Sequence, residues 1–203
     1  MTRSYRKSRR AEAQEETRER IVRATTELHV EQGVATTTYL DVAARAGVGA
    51  ATVYRHFPTM DALVETCGEY FWNAIEPPNA DAAVTAFAGL GTRAERLKRL
   101  VEELDAFYER AAAPLWSAVR DQDRVAPLAR FLADVGKGVA AFVAEALREE
   151  GGSNRVRIAS AIADFMVWRT LSATGIDRMK RREIFVGIIE AAIGGEAVGR
   201  VEH

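Results

Sequence analysis

Apolar positions recur at helical spacing along almost the whole chain, and no period-two alternation lasts long enough for a strand, so the pattern predicts an all-α protein. The first helix is expected over residues 13–32, with Ile21, Ala24, Thr25 and Leu28 on one buried stripe and Gly33 as a left-handed stop. Thr36, Thr37 and Thr38 offer hydroxyls to cap a second helix over residues 39–46, which turns Val42, Ala43 and Ala46 inward and ends at Gly47. A third helix, residues 50–56, cannot run smoothly past Pro58, and a fourth begins near Thr59 or Met60.

Beyond residue 60 the spacing predicts a helix ending before Pro77 and Pro78, then a short one over residues 81–89. A long helix opens at Thr92, where Glu95 completes a capping box, and a separate one is expected around residues 114–121. Residues 123–150 form another, broken by Gly151 and Gly152. Ser153 caps a helix reaching about residue 174, and Asp177 caps the last one, which runs to residue 194.

Two short helices separated by a glycine-containing turn, after a longer supporting helix, are the pattern of a helix-turn-helix whose second member enters the major groove of DNA. The residue types suit that geometry. Ala43 and Ala46 let two backbones approach, Gly47 permits positive φ, and Val48 plugs the angle between the helices. Val53 and Phe57, one turn apart, anchor the third helix inward, leaving Thr52, Arg55 and His56 on other faces and the Tyr54 hydroxyl outward.

At 203 residues, 48% hydrophobic and 28% charged, the chain can bury a substantial core without staples. Its net charge of −1 is unevenly spread, +3 through residue 60 and −4 beyond it. Arg3, Arg6, Lys7, Arg9 and Arg10 come with no acid among the first ten residues, which predicts a flexible basic arm over residues 1–12. Such an arm either follows phosphates and minor grooves or serves as a solubilising tail.

Cys67 is the single cysteine, so an intramolecular disulfide framework is excluded, and no clustered Cys and His suggests structural zinc; neither metal nor cofactor is expected. The basic start is not followed by an apolar segment, and no run of about eighteen apolar residues occurs, so a soluble, cytoplasmic protein is expected. His29, His56 and His203 are scattered, and HExxH, GxSxG and glycine-rich phosphate loops are missing, so no catalytic residue is expected. An all-helical enzyme would have to assemble its site without a visible signature.

Residues 18–64, and "TTTYLDVAARAGVGAATVYRHFPTMDALV" above all, resemble the DNA-binding domain of the TetR family of transcriptional repressors. The shared pattern is a Thr-Thr start, an Ala-Gly-Val turn and a Thr-aliphatic-Tyr-x-His/Tyr-Phe recognition helix. The resemblance implies that Thr52, Tyr54 and His56 touch phosphate or base edges, that Arg55 is a variable contact and that Thr38 lies near the DNA backbone. It also places Ala50 and Ala51 at the front of the recognition helix, where bases are read.

The departures matter as well. Gly49 stands where serine is frequent, Ala50 and Met60 where lysine is, and Leu40 where arginine is. A side-chain cap and three phosphate anchors are thereby lost, and the basic arm, with Arg6, Arg9 and Arg10, is expected to compensate. Alanine at both front positions leaves only van der Waals contact to thymine methyls, so Arg55 becomes the expected reader of guanine.

The same resemblance implies two domains, a helix-turn-helix over residues 13–60 and a larger helical domain over 61–203 that binds a small molecule and dimerises. The implied function is repression from a palindromic double-stranded DNA operator by a homodimer, released by a small hydrophobic effector. For the dimer interface the candidates are Ile158, Ile162, Phe165, Ile184, Phe185, Ile188, Ile189 and Ile193, which suit an intramolecular core equally well. For an effector pocket they are Phe71, Trp72, Phe107, Tyr108, Trp116, Phe131, Phe165 and Trp168, rings that also suit a packed core. Asp164, in "IASAIADFMVW", could hold a ligand's amine or hydroxyl or form an inter-helix ion pair. A related regulator with a filled core and no effector, or with a protein partner, is the alternative.

Overall fold

The computed structural model describes residues 3–194, with side chains from Arg9 onwards. Helices follow one another along these residues as α1 (Arg3–Glu31), α2 (Tyr39–Ala46), α3 (Ala50–His56), α4 (Met60–Ile75) and α5 (Ala80–Ala86). They continue as α6 (Arg93–Asp121), α7 (Ala126–Leu147), α8 (Asn154–Ile162), α9 (Phe165–Ser172) and α10 (Arg178–Gly194). Among the described residues there is no strand, and the all-α expectation holds.

The boundaries around α2 and α3 follow from local chemistry. Thr38 caps α2 by accepting from the Asp41 N–H at 3.2 Å, while the Asp41 carboxylate accepts from the Thr38 N–H at 2.9 Å, a reciprocal capping box. Gly47 ends α2 at φ 64°, where a Cβ would be strained. Gly49 precedes α3 without any side-chain cap, as its lack of a hydroxyl requires. The Thr59 hydroxyl accepts from the Ala62 N–H at 3.1 Å and starts α4.

Three expectations are corrected. α1 begins at Arg3 rather than residue 13, so residues 3–12, expected as a flexible arm, are helical. These residues, mostly Arg, Lys, Ala and Glu and with no Gly or Pro, are compatible with extending the helix. α6 is continuous through Pro114, where separate helices were expected. The interior proline costs about 3 kcal/mol, but buried Ala111, Leu115 and Ala118 hold both sides of it in register. The expected single helix over residues 153–174 is two, α8 and α9, because Asp164 caps a new start by accepting from the Met166 N–H at 2.7 Å.

The chain forms two compact units, and the division does not fall at residue 60. The first takes the chain up to Ala74 together with Ala113–Leu132; the second takes Ile75–Ala112 and the chain from Ala133 on. The first unit has two apolar clusters. In one, Ile21, Val22, Ala24, Leu28, Val42, Ala43, Ala46, Val53, Phe57, Leu63 and Cys67 join α1 to α4. In the other, Val34, Val64, Ala118 and Leu128 pack with Val125, Phe131 and Leu132, and Met60 touches both clusters. The end of α6 and the start of α7 therefore belong to the helix-turn-helix body. Ser117 reinforces this by donating to the His29 carbonyl at 2.6 Å.

In the second unit, Phe87 packs edge-on against Phe142, and Tyr108, Phe165 and Trp168 pack on one another. Asp105, buried in α6, accepts from Trp168 Nε1 at 2.8 Å and from Arg178 and Arg182 at 2.7 Å, tying α9 and α10 to α6. No described helix is long and apolar enough to cross a membrane.

Candidate nucleic-acid interface

α3 is seven residues long, far below the ~12–15 residues at which an isolated helix becomes even marginal in water, so its neighbours must hold it. Val53 and Phe57 do so from inside, both buried in the first cluster. Arg18 lies over the Phe57 ring at 5.3 Å. Arg20 donates to the Ala46 carbonyl at 2.6 Å and the Gly47 carbonyl at 3.3 Å, fixing the turn that aims α3.

The outward face is then what burial leaves. Tyr54 is 52% exposed, and its hydroxyl makes no hydrogen bond among the described residues. Arg55 is exposed and carries no ion pair among those residues. Arg45, by contrast, is bound to Glu31 at 2.6 Å and Glu27 at 3.2 Å. Ala51 is exposed and Thr52 half-buried. Ala51, Thr52, Tyr54 and Arg55 thus lie on one two-turn helix, with donors at Tyr54 and Arg55 that are uncommitted among the described residues.

Three of the sequence-derived positions are placed differently from expectation. Ala50 packs against the core cluster, so Ala51 is the more open of the two front alanines. Both donors of Thr38 go to Asp41, the hydroxyl at 2.6 Å and the N–H at 2.9 Å, which makes Thr38 a helix cap whose phosphate contact would require exchange of those bonds. His56 Nε2 is buried without a hydrogen-bond partner among the described residues, leaving Nδ1 as the side-chain atom available to DNA. Arg9 and Arg10 are exposed along the first turns of α1. The side chain of Arg6 lies outside the described residues.

Tyr39 and Asp121 hold the helix-turn-helix and were not legible in the sequence. The Tyr39 ring stacks on Tyr54 with centroids 4.0 Å apart and planes 21° from parallel. Asp121 accepts from the backbone of Val34 and Ala35, just before α2. Neither pairing has a periodic signal; only the Thr38 cap beside Tyr39 hints that this aromatic starts a helix facing another.

The candidate pocket residues divide between the units. Phe71, Trp72, Trp116 and Phe131 belong to the first, where Trp72 meets Phe131 edge-on at 5.9 Å. Phe107, Tyr108, Asp164, Phe165 and Trp168 belong to the second. Phe107 and Tyr108 pack at 5.1 Å, Tyr108 donates to the Ala163 carbonyl at 2.6 Å, and burial raises the Tyr108 pKa well above its usual value. Asp164 is exposed as the α9 cap, which removes the apolar surroundings that suggested a ligand anchor.

The candidate dimer residues divide as well. Phe165, Phe185, Ile189 and Ile193 are buried within the chain. Ile158 and Ile188 remain 37% and 39% exposed, and Ile162 and Ile184 half-buried. The split follows from helix geometry: Phe185, Ile189 and Ile193 repeat every turn on one side of α10, and Ile184 and Ile188 lie one position round from it.

A first helix buried along one stripe, a Gly47 turn and a short outward-facing α3 define a helix-turn-helix DNA-binding regulator. The family model described as "Bacterial regulatory proteins, tetR family" matches residues 21–67. The HTH-type transcriptional repressor KstR of Mycolicibacterium smegmatis is 31% identical over 88% of this chain and 89% of its own. An HTH-type transcriptional repressor of Mycobacterium tuberculosis is 28% identical over 87% of each chain. Among solved structures, Salmonella enterica GusR superposes with a TM-score of 0.60 at 19% identity, covering 88% of this chain and 95% of that one. The multidrug binding protein EbrR complexed with imidazole superposes with a TM-score of 0.57 at 23% identity, covering 85% and 89%. The chain belongs to the TetR family of bacterial transcriptional regulators and is not an enzyme.

Proposed function

We propose that the protein represses transcription in the cytoplasm as a homodimer bound to a palindromic operator, with α3 of each subunit in the major groove of one half-site. The observation that carries this reading is that an exposed Tyr54 and an Arg55 without an ion pair among the described residues sit together on a helix held from behind. Tyr54, Thr52 and His56 Nδ1 serve the phosphates; Arg55 reads guanine, and Ala51 meets thymine methyls. Arg9 and Arg10, with Arg6, add phosphate contacts in place of those that Leu40, Ala50 and Met60 do not make.

Dimerisation uses the apolar residues left uncovered on α8 and α10, Ile158 and Ile188 with Ile162 and Ile184 beside them. Aspartate at both Ile158 and Ile188 places two charges on that face without entering the core. Sedimentation of the wild type should give two chains per protein particle and per duplex. The double variant should be monomeric, folded and weak on DNA; an unaltered dimer would overturn this assignment.

A small hydrophobic effector released into the second unit would weaken DNA binding by its differential affinity for two states. Support comes from EbrR, whose structure holds imidazole, and from the ring cluster of Phe107, Tyr108, Phe165 and Trp168. A second reading, regulation without an effector, is favoured by the same rings being packed on one another with the Tyr108 hydroxyl and Trp168 N–H already satisfied. Thermal shift with a panel of hydrophobic compounds separates the two, because a ligand that binds the folded state raises its melting temperature.

A further inference from the structure

We infer that Tyr39, a residue facing α3 from the start of α2, is a positioning residue for DNA recognition: it holds Tyr54 in its DNA-touching rotamer before DNA arrives. The inference rests on the reading that Tyr54 contacts DNA. A tyrosine half in solvent on a two-turn helix ordinarily exchanges rotamers, and fixing one on binding costs affinity. Here the Tyr54 ring is stacked on Tyr39 at 4.0 Å and 21°, so swinging it away breaks a face-to-face contact. The stack leaves Tyr54 52% exposed, with its hydroxyl making no hydrogen bond among the described residues.

Tyr39 can act as a brace because it is itself held at both ends. Its ring packs against the core cluster, and its hydroxyl donates to the Phe57 carbonyl at 2.9 Å. Phe57 is the residue that ends α3, so this bond satisfies a carbonyl left free where the helix stops. One side chain from α2 thus touches α3 at its middle and at its end. It is the ring, already packed against the core cluster, that fixes the rotamer of Tyr54. The neighbouring Thr38–Asp41 capping box in turn fixes the backbone from which Tyr39 projects.

The test is a double-mutant cycle read on a duplex selected by the wild-type protein from a random pool, with thermal melting of every variant. Tyr39→Leu should weaken binding about fivefold to tenfold, and Tyr39→Phe, which keeps the ring, should stay within about twofold of wild type. In a Tyr54→Ala background, Tyr39→Leu should cost nothing further. Additive losses would overturn the brace and leave Tyr39 as ordinary packing. Wild-type affinity in Tyr54→Ala would instead overturn the DNA contact on which the inference rests. If Tyr39→Leu does not fold, the Hα–Hβ couplings of Tyr54 in the free wild type decide: one rotamer is expected, and rotamer averaging contradicts the brace.

Discussion

The carboxylate of Asp121, at the end of α6, accepts hydrogen bonds from the Val34 N–H at 2.7 Å and the Ala35 N–H at 3.2 Å. These N–H groups lie in the loop that leaves α1 at Gly33, φ 104°, and leads to the Thr38 cap of α2. A residue of the long helix α6 thereby holds the stretch of backbone that launches the helix-turn-helix. Burial opposes its ionisation, but hydrogen bonds from Arg120, Ala35 and Val34 outweigh that and hold the carboxyl below its usual pKa.

Asp121→Ala should therefore strand two backbone donors and lower stability by about 1–3 kcal/mol. Asp121→Asn, which keeps one acceptor oxygen, should lose less. Chemical denaturation checks the order; equal losses from both variants would show that the carboxylate does not cap the loop.

His29 gives the first unit a dependence on pH. Burial lowers its pKa from 6.5 to about 4, with Asp121 pulling weakly the other way. The unfolded chain takes up this proton at about pH 6.5 and the folded chain at about pH 4, so the unfolded state binds more protons between them. Stability should be full above pH 6.5 and decline as pH falls toward 4, by on the order of 3 kcal/mol at most. Melting from pH 7.5 to 4.5 should show this decline in wild type and a flatter profile in His29→Leu. Identical slopes would place the titration elsewhere.

Two glycines of α7 should respond in opposite directions. Gly138 is buried, and a Cβ there would collide with the Pro78 carbonyl oxygen, which is backbone and cannot rotate away. Gly136, one half-turn earlier, is exposed with nothing near a Cβ. Gly138→Ala should destabilise by about 1–3 kcal/mol, whereas Gly136→Ala should stabilise by up to about 1 kcal/mol through helix propensity. Paired thermal melts decide it.

The basic start of the chain should set the salt dependence of DNA binding. Each phosphate contact contributes about 0.9 to the slope of log affinity against log salt. Removing residues 1–10 should make that slope shallower by one or more such contacts while leaving sequence preference intact. An unchanged slope would show that Arg6, Arg9 and Arg10 do not reach phosphate.

Much of the helix-turn-helix was legible in the sequence because its signals are local. Thr38 before α2, Gly47 after it and Pro58 after α3 each act within a few residues, and the spacing of Val53 and Phe57 marks the inward side of α3. Longer relationships left no such mark. Asp121 meets Val34 across the chain, and Tyr39 meets Tyr54 without shared periodicity. Nothing near residue 121 announces that the end of α6 belongs with the helix-turn-helix. Asp164 misled because flanking apolar residues suggested burial, whereas its short side chain caps a helix start in solvent. Pro114 misled in the other direction, since packing on both sides outweighs the break it favours. For Ile184, Ile188 and Ile189 the pattern could not distinguish core from surface, because a helix rotates by about 100° per residue and neighbouring isoleucines divide between the two.

The most direct measurement is selection of duplexes from a random pool by the wild-type protein and by Arg55→Ala, followed by affinity on the enriched sequence and on a scrambled one. The wild type should enrich a twofold-symmetric site with half-sites about one helical turn, or a multiple, apart. Arg55→Ala should lose about tenfold or more on that site, with little change on scrambled DNA and relaxed preference at one guanine in each half. Absence of any symmetric site, or an equal loss on both duplexes, would contradict sequence reading by α3.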